Sequence, residues 1–186
     1  NHSQSYSYFM QENFFKHVNV QPQNINVPSG TTSNYPAFCD WYEKRIVESG
    51  GIDLQILGIG SDGHIAFNEP TSSLSSRTRL KTLSMQTIGD NALFFERRED
   101  VPVYAITMGV GTILEARQLL LVASGKSKAR AIAQAVEGPV TSMITASALQ
   151  LHRDATVIVD DEAASELTMR DYYDFIYAAK PAAPRM

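Results

Sequence analysis

Apolar residues recur at helical spacing over residues 5–18, where Phe9, Met10, Phe14, Phe15 and Val18 alternate with Gln11, Glu12 and Lys16. This predicts an amphipathic helix. Residues 20–34 have no period; Pro22, Pro28, Gly30 and a run of Thr, Ser and Asn predict a loop crossed by one extended piece at 25–27. Pro36 suits the first turn of a second helix, with Phe38, Trp41, Tyr42, Ile46 and Val47 as its stripe and Gly50-Gly51 as its stop. The pattern then changes. Residues 53–60 are a short apolar run closed by glycines, which reads as a buried strand and a tight turn. The same grammar returns at 103–108, a strand ending in Gly109-Val110-Gly111, followed by a short helix at 112–116 and a strand at 118–123. Ser124-Gly125 leads into an alanine-rich helix at 126–137, stopped by Gly138-Pro139. Residues 155–159 form a further strand, and Asp160-Asp161 can cap a last helix from about Glu162. Strands alternating with helices predict an α/β domain with a mainly parallel sheet over residues 1–179. The tail at 180–186, with Pro181 and Pro184, reads as frayed.

Composition narrows the classes. A chain of 186 residues is long enough for one domain with a core that needs no disulfide or structural metal. Hydrophobic residues at 44% and charged residues at 19% exclude a disordered or collagenous chain. A net charge of −4 argues against nucleic acid and anionic membrane surfaces as partners. The lone Cys39 cannot form an internal disulfide and reads as core, and no apolar run approaches eighteen residues, so a cytoplasmic protein is expected.

Gly58-Ile59-Gly60-Ser61-Asp62-Gly63 spells the dinucleotide-binding fingerprint directly after a strand. That fingerprint needs a helix opening at the loop and an acidic residue about 20 positions on. Here Pro70 halts any helix, and the later segment is the basic Arg77-Thr78-Arg79-Leu80-Lys81, so no nucleotide cofactor is expected. Gly125-Lys126-Ser127 resembles the end of a P-loop but has Leu120 where a glycine is required. What survives is Gly60-Ser61-Asp62-Gly63-His64-Ile65-Ala66-Phe67-Asn68-Glu69-Pro70, which sets Asp62, His64 and Glu69 within eight positions at the carboxyl end of a strand. An imidazole flanked by carboxylates is general acid–base equipment. The bland alternative is a capped turn, a satisfied polar histidine and a solvated glutamate. One histidine without a second His or Cys nearby is a poor metal ligand set, so no metal is expected.

Continued through Arg79, this stretch closely resembles the signature of the glucosamine-6-phosphate deaminases. Residues 5–10, 105–112, 135–138 and 147–152 also resemble family segments, in family order. The resemblance implies a Rossmann-like three-layer sandwich that converts D-glucosamine 6-phosphate and water to D-fructose 6-phosphate and ammonia, without cofactor or metal, in cytoplasmic amino-sugar (N-acetylglucosamine) catabolism. It places the ring-opening proton carrier at His64, its supporting carboxylates at Asp62 and Glu69, and a phosphate-binding lysine at Lys128; by itself Lys128 reads as an exposed helix lysine. Some family members are hexamers activated by N-acetylglucosamine 6-phosphate. Ser72, Arg79 and Lys81 match positions used for that, residues 166–175 resemble the hexameric class, and a homo-oligomer is expected; the plainer reading of Arg77, Arg79 and Lys81 is a solvated strand face.

Two departures stand out. The family's C2 base, its phosphate turn and the opening strands of its sheet lie before the segment that matches residues 1–10, so they are expected before Asn1. Leu93 stands where the family usually has an arginine against the phosphate, with Arg97 and Arg98 as candidate substitutes. These departures favour one rival, a non-catalytic sugar-phosphate-binding remnant; a second rival is another sugar-phosphate isomerase or lactonase on the same fold, against which the Asp62, His64 and Glu69 constellation speaks.

Overall fold

The computed structural model describes residues 4–181. Five strands form: β1 (Leu54–Leu57), β2 (Arg79–Thr82), β3 (Tyr104–Thr107), β4 (Gln118–Ala123) and β5 (Ala155–Val159). β1, β4 and β5 make a parallel sheet in the order β1-β4-β5, with Leu57 beside Leu121 and Ala123 beside Val159. β2 and β3 form a separate antiparallel pair in which Arg79 faces Thr107.

Alternation along β4 decides the layering. Leu119, Leu121 and Ala123 turn to one face, where they join Leu57, Ile59 and the alanine-rich face of α5 (Ala129–Val136), with Ile132 fully buried. The 3-10 segment Thr145–Leu151 adds Ala146 and Leu149 to the same core. The opposite face carries Leu54, Ile56, Val122 and Ile158, all exposed, Ile56 by 63%. The α/β class and the parallel sheet are as expected, but among the described residues the second helical layer of a three-layer sandwich does not cover this face.

Helix ends follow local chemistry. α1 (Tyr6–Asn13) starts at Ser5, whose hydroxyl accepts from the Tyr8 amide at 3.1 Å. Its apolar stripe marks the helix but not a partner, since no residue of α1 is buried. α2 (Tyr35–Glu48) has Pro36 in its first turn and Asn34 as cap, and it ends at Gly50 and Gly51, both at φ +88°. Of its residues Cys39 is buried, as expected. Pro22–Asn24 makes a 3-10 turn, and Ile25 after it is extended, as expected, without pairing into a sheet. α3 (Met85–Asn91) and α4 (Val110–Leu114) are short.

The last helix begins later than expected. Asp160 caps a single turn, accepting from the Ala163 amide at 2.8 Å, and the chain then leaves helical conformation. The Glu137 carboxylate, from beyond α5, accepts the Thr168 and Met169 amides at 2.9–3.0 Å and restarts the helix as α6 (Arg170–Ala179). Of the tail expected to fray, residues 182–186 lie outside the described residues.

A glutamate locks α2 to the rest. Glu43 accepts the Thr112 hydroxyl at 2.6 Å, the Thr78 amide at 2.7 Å and Arg77 at 2.5 Å, while Arg77 also forks onto Glu115. Thr78 leads into β2 and Thr112 lies in α4, so one carboxylate joins three elements. Ser76 approaches Gly109 so closely that a Cβ there would lie 2.0 Å from the Ser76 carbonyl oxygen, which makes glycine obligatory. Burial pushes the Glu43 carboxyl up, but the bonds from Thr112, Thr78 and Arg77 outweigh it and hold the group below its ordinary value. A lowered folded value means that the stabilisation is complete above the unfolded carboxyl value of about 4.3 and is lost as pH falls through the folded value. Urea titrations between pH 6 and pH 3 should therefore show a shallower acid loss for Glu43→Gln than for the parent chain, from a lower starting stability. Parallel pH curves for the two proteins would count against this role.

Candidate active site

Parallel strands deliver their following loops to one edge of a sheet, and that carboxyl edge is where open α/β sheets bind ligands. The loop after β1 turns back on itself here: the Gly60 amide donates to the His64 carbonyl at 2.8 Å, and the Gly63 amide to the Gly60 carbonyl at 3.0 Å. Inside this loop Asp62 Oδ1 accepts both the His64 amide, at 3.2 Å, and His64 Nδ1, at 2.6 Å. With its Nδ1 proton given to Asp62, the ring presents Nε2 as the free acceptor. Glu69 sits on the other side, almost fully buried; Oε1 accepts the Ser84 amide at 2.9 Å, and Oε2 lies 3.7 Å from His64 Nδ1 with no hydrogen-bond partner. The three residues singled out from the sequence are thus brought together.

The fingerprint glycines serve this histidine. A Cβ on Gly60 would lie 2.4 Å from both Cε1 and Nδ1 of His64, and one on Gly63, at φ +85°, would meet Ile144 at 2.7 Å. Gly58 has open space around it. No helix opens at the loop, so there is no helix N-terminus at which a pyrophosphate could sit.

The ligand atoms of Asp62, His64 and Glu69 lie within 4.8 Å of one another, close enough for three bonds to one small cation. Zinc sites are richer in imidazole or thiolate than this set, and the short Asp62–His64 contact is the spacing of a hydrogen bond. The arrangement fits a proton carrier better than a metal cage.

What fixes the loop was not announced by spacing. Asn68 is fully buried, and its side-chain amide donates to the Ile65 carbonyl at 3.1 Å and the Met108 carbonyl at 2.9 Å, while Oδ1 accepts Arg79 Nη1 at 2.9 Å. The Thr145 hydroxyl donates to the Asn68 carbonyl at 2.8 Å and accepts the Ile65 amide at 3.2 Å. Asparagine inside an apolar run was the one available signal for this hub; Thr145, 77 residues from Asn68, gives none.

The remaining expected residues are placed less tightly. Lys128 ends the 3-10 turn Lys126–Lys128 after β4, at the same sheet edge as the His64 loop. Ser72 is buried with an unpartnered hydroxyl, and Arg79 and Lys81 share one face of β2. Arg77 is exposed, as the solvated reading has it, and is paired there with Glu43 and Glu115, whereas Arg79 is half-buried and bound to Asn68, where burial lowers its pKa. Leu93 is 89% exposed on the 3-10 turn Ala92–Phe94, and Arg97 is engaged with Glu99 and Asp100. The concavities seen elsewhere, one among Asp53, Arg117 and Arg153 and one among Leu121, Ile132 and Leu149, hold none of these residues.

Comparison with known proteins agrees with the motif. The profile of the family described as glucosamine-6-phosphate isomerases/6-phosphogluconolactonase matches residues 1–158. Glucosamine-6-phosphate deaminase of Shewanella woodyi is 52% identical over 177 residues, covering 95% of this chain and 67% of that protein. The deaminase of Hahella chejuensis is 54% identical over 175 residues, 94% of this chain and 67% of its own length. A solved monomeric glucosamine-6-phosphate deaminase superposes with a TM-score of 0.86 at 43% identity, over 89% of this chain and 69% of that one. A 6-phosphogluconolactonase from Trypanosoma brucei, at 20% identity and a TM-score of 0.55 over 78% of this chain and 59% of its own, shares the fold. The chain thus spans about two thirds of the length of the deaminases it matches.

Two substitutions test the geometry. Asn68→Ala removes one bond each from the Ile65 and Met108 carbonyls and from Arg79, which keep the residue-68 amide, the Thr107 hydroxyl and the Arg77 carbonyl as partners, and should cost about 1–3 kcal/mol in urea unfolding; a loss below about 0.5 kcal/mol would show that these remaining bonds suffice. Gly60→Ala should leave the unfolding free energy within about 1 kcal/mol while shifting the His64 ring resonances in NMR, because the flexible side chain yields before the backbone does. Unmoved His64 resonances would contradict the close approach.

Proposed function

The chain belongs to the glucosamine-6-phosphate isomerase/6-phosphogluconolactonase family, and within it we propose that this protein is a glucosamine-6-phosphate deaminase, converting D-glucosamine 6-phosphate and water to D-fructose 6-phosphate and ammonia. The observation that carries the reading is the Asp62–His64–Glu69 constellation, found in a chain that shares about half its residues with proteins so named. The 20% identity to the trypanosomal lactonase supports the common fold and gives no reason to assign lactone chemistry.

His64 would open the sugar ring. Held by Asp62 through Nδ1, the imidazole takes the C1 hydroxyl proton on Nε2 and returns a proton to the ring oxygen as the C1–O5 bond breaks, which leaves an open-chain aldehyde. Glu69, held at Oε1 by the Ser84 amide, keeps Oε2 facing the imidazole and balances the charge that the ring carries in passing. Proton transfer from C2 to C1 and hydrolysis of the resulting imine then release ammonia. Lys128 supplies a cation for the 6-phosphate.

A second, finer proposal concerns regulation. The unpartnered buried hydroxyl of Ser72 and the β2 face that carries Arg79 and Lys81 support the reading of these three as contacts of a phosphorylated activator such as N-acetylglucosamine 6-phosphate, in a cytoplasmic homo-oligomer. Among the described residues no helix is long and apolar enough to cross a membrane.

The test is ammonia release from glucosamine 6-phosphate by the 186-residue chain and its His64→Gln variant. A drop in kcat of about 10²-fold or more with an unchanged fold is expected for loss of a general acid–base group. Near-normal turnover by the variant would remove His64 from the mechanism. Failure of the parent chain to release ammonia while binding the sugar phosphate would favour the binding-remnant reading.

A further inference from the structure

The register of the parallel sheet brings together two loops that are 35 residues apart in sequence. Because Ala123 lies beside Val159, the residues that leave β4 and β5 emerge as neighbours at the carboxyl edge. Asp160, the first residue after β5, reaches across to the turn after β4. Its Oδ1 and Oδ2 accept the Gly125 amide at 3.1 and 3.0 Å, and Oδ1 also accepts the Ala163 amide of its own turn at 2.8 Å. Glu162, two residues on, accepts the Lys126 amide at 3.3 Å.

The turn thus held opens on a glycine in a backbone conformation that other residues rarely adopt. Gly125 sits at φ +85°, ψ 152°, with open space where a Cβ would be, so glycine is required there by conformation and not by crowding. Its amide points out of the chain toward Asp160, and its carbonyl accepts the Lys128 amide at 3.0 Å. The peptide unit anchored by Asp160 is therefore directly followed by the 3-10 turn whose last residue is Lys128.

We propose that Asp160 is a positioning residue for Lys128: by holding the Gly125 amide, it fixes the turn that sets the lysine ammonium against the 6-phosphate of the substrate. The proposal rests on the reading of Lys128 as the phosphate-binding cation. The carboxyl of Asp160 is lowered from its ordinary value by the bonds from the Ala163 and Gly125 amides, in keeping with an anion that stays charged to do this work. Asp160 does not touch substrate in this scheme; it acts through the backbone of residues 125–128.

The two hydrogen-bonding duties of Asp160 can be separated. Asp160→Ser keeps a short cap for the Ala163 amide but cannot reach Gly125. Asp160→Asn, with its carbonyl oxygen in the Oδ1 position, also keeps the Ala163 cap, but its Nδ2 then stands at the Oδ2 site, 3.0 Å from the Gly125 amide, donor against donor. Each variant, with Lys128→Ala as reference, is assayed on glucosamine 6-phosphate for KM and kcat, and for affinity by calorimetry. Asp160→Ser should raise KM and Kd about tenfold with kcat within about twofold, Asp160→Asn should move both in the same direction, and amide exchange should quicken at Gly125 in both variants while the Ala163 amide stays protected. If Lys128→Ala weakens binding but Asp160→Ser does not, the role of Asp160 is overturned while the phosphate reading stands. If Lys128→Ala leaves KM and Kd unchanged, the phosphate reading fails and this role with it. A serine variant that loses kcat and thermal stability together, with KM unchanged, would mark Asp160 as structural only and overturn the proposal.

Discussion

The buried side chain of Asn68 is the joint on which the catalytic loop depends. It spends all of its useful hydrogen-bonding capacity inside the protein, two donors on the Ile65 and Met108 carbonyls and its oxygen on Arg79. Through these bonds the loop after β1 is tied at once to the end of β3 and to β2, and through the Asn68 carbonyl to Thr145 at the start of the 3-10 segment. A buried amide satisfied in this way tolerates only one arrangement of its neighbours, because any slip leaves a desolvated polar group without a partner. Glu69, the next residue along, inherits that precision and can face the imidazole without a second bond of its own.

A division of labour follows from the sheet. Its three parallel strands release their loops at one edge: the His64 loop from β1, the Lys128 turn from β4 and Asp160 from β5. The core beneath them is ordinary, with alternating leucines of β4 against the alanine face of α5. The helix α5 buries its alanines and Ile132 in that core, and the turn that opens into it follows directly from the end of β4. Fold and site are in this sense one construction: the register between β4 and β5 that fills the core is also what lines Asp160 up with Gly125.

Much of this was legible in the chain, for identifiable reasons. Strands β1, β3, β4 and β5 are apolar runs closed by glycine or aspartate, and period and punctuation sufficed to find them. The Asp62–His64 pair was legible because its bonds are local, spanning two residues. Three things were hidden. The helix expected at Glu162 is displaced to Arg170 because Glu137, some thirty residues away, captures the amides that open it. The amphipathic pattern of α1 says that a helix forms but not that its stripe stays exposed. The pairing of Arg77 with Glu43 is a meeting of residues 34 apart, which no spacing rule anticipates.

Gly60 carries a consequence for the sequence space open to such a protein. The His64 ring occupies the volume in which any other residue at position 60 would place its first side-chain carbon, so the imidazole is held by a hydrogen bond on one flank and by missing matter on the other. Any side chain at position 60 therefore moves the ring before it disturbs the backbone, whatever its polarity or size. Gly58, two residues earlier in the same motif, faces empty space and is free to vary. Two glycines that look equivalent on paper thus differ completely in mutational tolerance, and the difference is set by where one ring lies.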